Sequence, residues 1–174
     1  MNEAMTHQLA AGCACGRVSL TLTGAPIVAV VCYCDDCQEG SRRIQSLPGA
    51  PSVQDPDGGT AYLAYRKDRF AVAAGGEYLR TYKLRPASAT SRVVASCCQS
   101  AMYLGFDDRK HWVDVYRSCV QGTVPPIAMR ICTRFAPNAG AVPNDGPRHA
   151  RYPFGLVTRL IAARLAMSLP FDPG

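Results

Sequence analysis

Ile27-Val28-Ala29-Val30-Val31-Cys32-Tyr33-Cys34-Asp35-Asp36-Cys37 is the stretch on which the reading of this chain turns. Residues 27–31 form a continuous apolar run rich in β-branched side chains, the pattern of a buried strand. The run leads directly into three cysteines within six residues. Cys-X-Cys aims two thiols at one point and is far too short for a disulfide between ordinary strands. Soft, easily deprotonated thiols that converge this way are what a tetrahedral zinc ion requires. Three protein ligands leave a fourth position open, as catalytic zinc sites do, unless a distant residue such as Cys98 closes it. An open position accepts a substrate thiol or a carbonyl oxygen; zinc lowers the pKa of the first and polarises the second. Cys34, Asp35 and Asp36 are therefore the candidate catalytic residues. Either aspartate can carry a proton, and either can equally cap backbone amides in a turn.

Four more cysteines fall in two further clusters, Cys13-Ala14-Cys15-Gly16 and Cys97-Cys98. Gly12 and Gly16 make the first a permissive turn, and residues 93–96 read as a strand that ends at the second. A two-plus-two arrangement would pin distant segments together in a closed structural site and contribute on the order of ten kcal/mol to folding. The vicinal pair presents a difficulty, because neighbouring side chains on a strand point to opposite faces. Both sulfurs reach one ion only if the backbone turns there; otherwise one thiol ligates and the other packs in the core. Cys119 and Cys132 stand alone and read as small core residues. The candidate metal set is Cys13, Cys15, Cys32, Cys34, Cys37, Cys97 and Cys98, for one or two zinc ions per chain.

With 174 residues and 48% hydrophobic content the chain can bury a core without disulfides, so its nine cysteines need another explanation. Residues 1–7 lack the basic start and apolar stretch of a secretory signal, and Arg159 and Arg164 interrupt the best apolar run near the end. A cytoplasmic protein without a membrane span is expected, in a compartment where clustered thiols are metal sites more often than bridges. The net charge of +6 comes from scattered basic residues, with Arg42-Arg43 and Arg66-Lys67-Asp68-Arg69 read as solvated surface, so no nucleic-acid partner is expected. His7, His111 and His149 are isolated in sequence, and no phosphate-binding glycine loop or nucleophile elbow is present.

Outward from the opening stretch, Val18, Leu20 and Leu22 alternate with polar residues as a half-buried strand does. Further strands are expected at 62–65, 70–73, 78–84, 92–96, 102–106 and 112–116, with Gly75-Gly76 as a hairpin turn. Residues 40–60 have no period and carry several prolines and glycines, which predicts a loop or a lid over a site. Residues 137–147 are a Pro-, Gly- and Asn-rich connection. A helix is expected over 156–168, with Leu156, Val157, Leu160, Ile161 and Leu165 on one side packing against the domain. The fold class is mainly β, in antiparallel sheets stabilised by zinc, with a C-terminal helix. The expected organisation is a zinc-binding β domain over 1–135 and, over 136–174, a linker and helix packed on it.

Taken in order, these clusters resemble the glutathione-dependent formaldehyde-activating enzyme family and the centromere-protein-V-like proteins grouped with it. The stretches that carry the resemblance are Gly12-Cys13-Ala14-Cys15-Gly16-Arg17-Val18 and Cys32-Tyr33-Cys34-Asp35-Asp36-Cys37-Gln38. Gly76-Glu77-Tyr78-Leu79-Arg80-Thr81-Tyr82 and the segment 92–104 around Cys97 follow, so roughly 10–118 is covered. The resemblance implies a β-tent-like antiparallel fold built around zinc, with Cys13, Cys15 and Cys97 as structural ligands and Cys32, Cys34 and Cys37 holding a second ion. It also implies carbon–sulfur lyase chemistry on a small thiol such as glutathione and a small aldehyde, formaldehyde in the family. The chain departs from the family where Ser100-Ala101 stands in place of the last Cys-Gly. Either Cys98 has taken the ligand role or the structural site has changed. The rival reading is a non-catalytic zinc module that serves structure or interaction, and a third is a redox sensor using Cys97-Cys98.

Overall fold

The computed structural model describes residues 8–107 and 109–168. The N-terminal stretch, including His7, lies outside them. Ten strands form two sheets. β1 (Gln8–Gly12), β2 (Ser19–Thr23) and β5 (Phe70–Ala74) make a three-stranded antiparallel sheet in the order β1-β2-β5. The larger sheet holds β3 (Val28–Cys32), β4 (Thr60–Arg66), β6 (Leu79–Tyr82), β7 (Thr90–Ala95), β8 (Ser100–Phe106), β9 (Trp112–Tyr116) and β10 (Met129–Ile131). Its order is β10-β3-β4-β9-β8-β7-β6, antiparallel except that β10 runs parallel to β3. The fold is mainly β, as the sequence predicts. The alternation read at 18–22 is observed directly: Leu20 and Leu22 are buried while Ser19, Thr21 and Thr23 are half-exposed. Every residue of β3 is buried, which its unbroken apolar run requires.

Two helices complete the chain, α1 (Asp35–Gln45) and α2 (Phe154–Ala166). Helix α1 departs from the sequence reading, which gave the second cysteine cluster and residues 40–45 to loop. Its signal is one of charge: Asp35 and Asp36 occupy the first turn and Arg42 and Arg43 the last, each sign matched to the helix dipole. Gly40 masks that signal, and the structure shows why it is there. A Cβ at Gly40 would lie 1.8 Å from Arg92 Nε, so the helix lets the buried Arg92 side chain pass beneath it to donate to the Asp36 carbonyl. Gly40→Ala is expected to lower stability by about 2 kcal/mol through overpacking, although alanine is the better helix former. A chemical denaturation series checks the sign; a stabilised variant would contradict this packing.

Residues 46–59 are the true loop, and none of them lines the cavity beside Cys32, Cys34 and Cys37. Tyr33 Oη donates to Asp57 Oδ2 (2.6 Å), and Arg130 donates to Tyr33 Oη (2.7 Å) and through two bonds to Asp145 (2.8 and 2.9 Å). This network, buried at Tyr33 and Arg130 and exposed at Asp145, fastens the loop and the 137–147 connection behind β3 and β10. Gly75-Gly76 is also not a hairpin turn, because β5 and β6 lie in different sheets. Gly75 is left-handed (φ 74°), and a Cβ there would come within 2.1 Å of the Arg17 carbonyl oxygen, so it marks a close approach between segments.

The stripe expected on α2 divides. Leu156 is buried in the core and Leu160 packs against it, whereas Phe154, Ile161 and Leu165 are 81%, 55% and 65% exposed. No helix of the described residues is long and apolar enough to cross a membrane.

Candidate metal centre

The first cluster gathers four sulfurs. After β1 the chain turns, with Cys13 N–H donating to Val18 O and Gly16, left-handed at φ 77°, closing back on Cys13 O. The other pair stands on the turn between β7 and β8, where Gln99 adopts φ 57°. That turn resolves the difficulty of the vicinal pair, since Cys97 and Cys98 no longer alternate across a strand. Sulfur separations are 3.6 Å for Cys13–Cys15, 3.8 Å for Cys13–Cys97, 3.3 Å for Cys15–Cys97 and 4.0 Å for Cys97–Cys98. Tetrahedral zinc with Zn–S of about 2.3 Å has edges of about 3.8 Å, so this donor set fits a four-thiolate ion.

Ser100, at the place of the missing cysteine, is a buried support. Its Oγ accepts from Ala14 N–H (2.9 Å) and lies 3.1 Å from Cys98 Sγ. Burial opposes ionisation of Cys98, but bonds from Ser100 and the Cys15 and Ser100 backbones bring it down to about 6. Cys97 is driven the other way, to about 12, by burial and then by the neighbouring thiols. Crowded thiols that cannot all ionise are a site lacking a positive charge, which a divalent cation supplies.

The second cluster sits where β3 meets α1. Cys32 ends the strand, Cys34 is the N-cap residue (φ −63°, ψ 154°) and Cys37 lies in the first turn. Their sulfurs lie within 4.8 Å of one another. Hydrogen bonds from Cys32 and Cys37 hold the Cys34 thiol far below its usual range, against its burial, and the Cys37 backbone and Tyr152 hydroxyl assist. Tyr62 Oη is buried within reach of Cys37 yet has no well-formed hydrogen bond, an orphan donor beside a sulfur. Three converging thiols with such a donor fit a metal-bound thiolate site.

One residue here was missed from sequence. Cys132 follows β10, whose parallel register sets Ile131 beside Cys32, and its left-handed backbone (φ 59°) is uncommon for a residue with a side chain. Its thiol contacts Cys32 and the Tyr152 hydroxyl. It is thus not simply a core filler, whereas Cys119 is one, with its thiol turned to the Tyr116 carbonyl (3.1 Å). Spacing holds no hint of Cys132, because only sheet pairing brings it near.

Both aspartates are exposed and line a polar depression with Glu39, Arg42, Arg43 and Arg85; only Asp36, which pairs with Arg85 (3.1 Å), also lines a cavity beside the cysteines. Glu39 pairs with both arginines (2.7 and 2.6 Å). The cavity, about 410 Å³, lies between the large sheet and α2. Cys32, Cys34 and Cys37 line one end, and Phe106, Trp112 and Asp114 line another part of the wall. His111 lies edge-on to Trp112, 5.0 Å between ring centres, and belongs to neither cluster.

Desolvation raises the Asp114 carboxyl to about 7, with Trp112 and Lys110 pulling weakly the other way. A raised carboxyl favours the folded state while protonated. That contribution is complete below the unfolded value near 4 and is lost as pH climbs through about 7. Asp114→Asn is therefore expected to flatten the fall in melting temperature between pH 5 and pH 8. An unchanged pH profile would count against a buried, titrating Asp114.

With the geometry in place, comparison with known proteins decides the segment that carries both cysteine turns. Residues 8–48 match the family model of the glutathione-dependent formaldehyde-activating enzyme. The resemblance read from the motifs is thereby borne out over β1 to α1, which includes Cys13, Cys15 and the whole second cluster. Among curated proteins none matches the sequence. A crystal structure of a Rhodobacter sphaeroides protein, a structural genomics target, aligns with a TM-score of 0.45 and 16% identity over 67% of this chain and 91% of that one.

Proposed function

We propose that this chain is a zinc-dependent, carbon–sulfur lyase-like protein that makes or breaks adducts between a small thiol and a small aldehyde, of the glutathione and formaldehyde type. The observation that carries the reading is that three thiols of the family-matched segment converge at one end of a cavity, while a separate four-sulfur cluster fits a purely structural ion. In this reading Cys13, Cys15, Cys97 and Cys98 hold the structural zinc, and Cys32, Cys34 and Cys37 hold the second. Zinc at the second site supplies Lewis acidity toward a carbonyl and stabilises a thiolate. In adduct formation the thiol sulfur bonds to the carbonyl carbon, the π pair moves to oxygen, and the proton given up by sulfur ends on that oxygen. Asp36, at the cavity wall, is the group placed to carry that proton. Asp35 lies farther out, and with Arg42, Arg43 and Arg85 at the rim depression it is better placed to meet the charged ends of a glutathione-like thiol.

The same reading assigns 1–135 to the zinc-binding β domain and 136–174 to a connection and helix packed on it, supported by the Arg130–Asp145 pair and the burial of Leu156. It carries with it a reducing, cytoplasmic setting. A non-catalytic zinc module is favoured by one observation, the nearness of the Cys132 thiol to Cys32; it lies outside the set of three sulfurs within 4.8 Å of one another, and would close the site only by moving in. The test is exchange NMR of S-hydroxymethylglutathione with zinc-replete protein, paired with zinc-edge X-ray absorption. Accelerated exchange with a non-sulfur neighbour at one zinc supports the enzyme; no acceleration with sulfur-only coordination supports the module.

A further inference from the structure

The cavity is far larger than a one-carbon aldehyde needs. Its volume of about 410 Å³ falls in the range of sites that enclose drug-sized molecules. Formaldehyde, one carbon and one oxygen, would leave nearly all of it to water. Its lining is also wrong for the thiol partner. The floor is the sheet face bearing Val28, Val30 and Ala64, and Leu156, Val157 and Leu160 of α2 form the opposite wall. Arg92 and Lys110 also stand on the wall, Lys110 over the Phe106 ring, but the apolar faces between them would still desolvate most of the polar groups of a tripeptide.

The cavity has direction as well as size. Asp114 pairs in register with Ala64, and Ala64 with Val28, four residues along β3 from Cys32. At the rise of a strand the cysteine end and the Asp114 end are about 13 Å apart. Mostly apolar side chains line the space between them, with Thr90 and Arg92 of β7 among them. At the cysteine end Tyr62 lines the cavity, with its hydroxyl buried beside Cys37. Phe106 and Trp112 add flat surfaces at the Asp114 end.

We propose that this cavity holds the organic body of the aldehyde, or of its thiol adduct, and that the body is apolar and ring-sized, with its carbonyl carbon at the end lined by Cys32, Cys34 and Cys37. The proposal rests on the thiol–carbonyl reading for its chemistry and adds the substrate class. The bond changes are those already given: sulfur joins the carbonyl carbon and the thiol proton ends on oxygen, with no redox partner required.

Trp112 lines the cavity and is the only tryptophan in the chain, so its fluorescence reports occupancy without any turnover. The probe is cyclohexylmethanol, which neither absorbs nor reacts, titrated into zinc-replete protein. A saturable, submillimolar change is expected, and Val157→Phe, at a position 42% exposed, should weaken it about fivefold or more by filling the cavity. Ala64→Val gives an independent narrowing from the floor if the helix variant disturbs α2. With glutathione as thiol, cyclohexanecarbaldehyde should exceed formaldehyde in kcat/KM by about tenfold or more. An unresponsive Trp112, or an affinity indifferent to both variants, overturns the proposal. Turnover of formaldehyde with rejection of the cyclohexyl aldehyde overturns it too, yet leaves the thiol–carbonyl reading standing. Saturable binding with neither aldehyde turned over upholds the ligand class and removes the reaction.

Discussion

Cys15→Ser is expected to unfold the protein at temperatures where the parent is fully native. The side chain is exposed, so packing alone predicts a change within about 0.5 kcal/mol. The metal reading predicts a loss of several kcal/mol, because structural zinc contributes on the order of ten to a domain it organises. The difference follows from what the first cluster joins. Cys13 and Cys15 stand on the turn between β1 and β2 of the small sheet, and Cys97 and Cys98 on the turn between β7 and β8 of the large one. An ion there is the cross-link between the two sheets at this end. Serine oxygen is a poor replacement among three thiolates. Calorimetry of parent and variant, each with and without a strong chelator, separates the cases. The parent should lose most of its melting temperature to chelator, and the variant should begin low and lose no more. A variant that melts within a few degrees of the parent would mean that the four sulfurs hold nothing structural.

How much of this was legible in the sequence depends on the range of the interaction that sets each element. Strands with an alternating or unbroken apolar pattern, β2, β3, β4 and β9 among them, are dictated by local period and were readable. Helix α1 was readable only from its end charges, since Gly40 answers to Arg92 on β7 and not to helix formation. The three cysteine clusters declare themselves by spacing, and so does the choice of a soft metal. Their completion does not. Cys98 joins the first cluster because Gln99 turns left-handed, and Cys132 reaches Cys32 because β10 runs parallel beside β3. The cavity was wholly hidden, for its walls come from alternate residues of several strands and one face of α2. The helix stripe hid the same fact: Leu156 and Leu160 turn to the core, Val157 borders the cavity, and Ile161 and Leu165 face out.

Cys34→Ser is the sharper test of chemistry, because here structure and function pull in opposite directions. Cys34 is the N-cap of α1, and the one backbone contact of its thiol, to the Cys37 amide, falls short of a well-formed capping hydrogen bond. Serine is among the best N-cap residues, and its hydroxyl can accept from the free amides of the first turn. The substitution should therefore leave the fold cooperative and raise its stability by up to about 1 kcal/mol, apart from any contribution of the second metal. The same change removes the sulfur that the Tyr152 hydroxyl, Cys32 and Cys37 all address. Loss of one ligand of three should strip the second zinc while sparing the first, so metal content falls by one ion per chain and adduct exchange drops by about 100-fold or more. Elemental analysis, a melting curve and exchange NMR on one preparation read all three consequences. Full exchange activity in a well-folded variant would place the chemistry elsewhere in the molecule. Loss of the fold together with the metal would instead make the second cluster structural, with Cys132 completing it from β10.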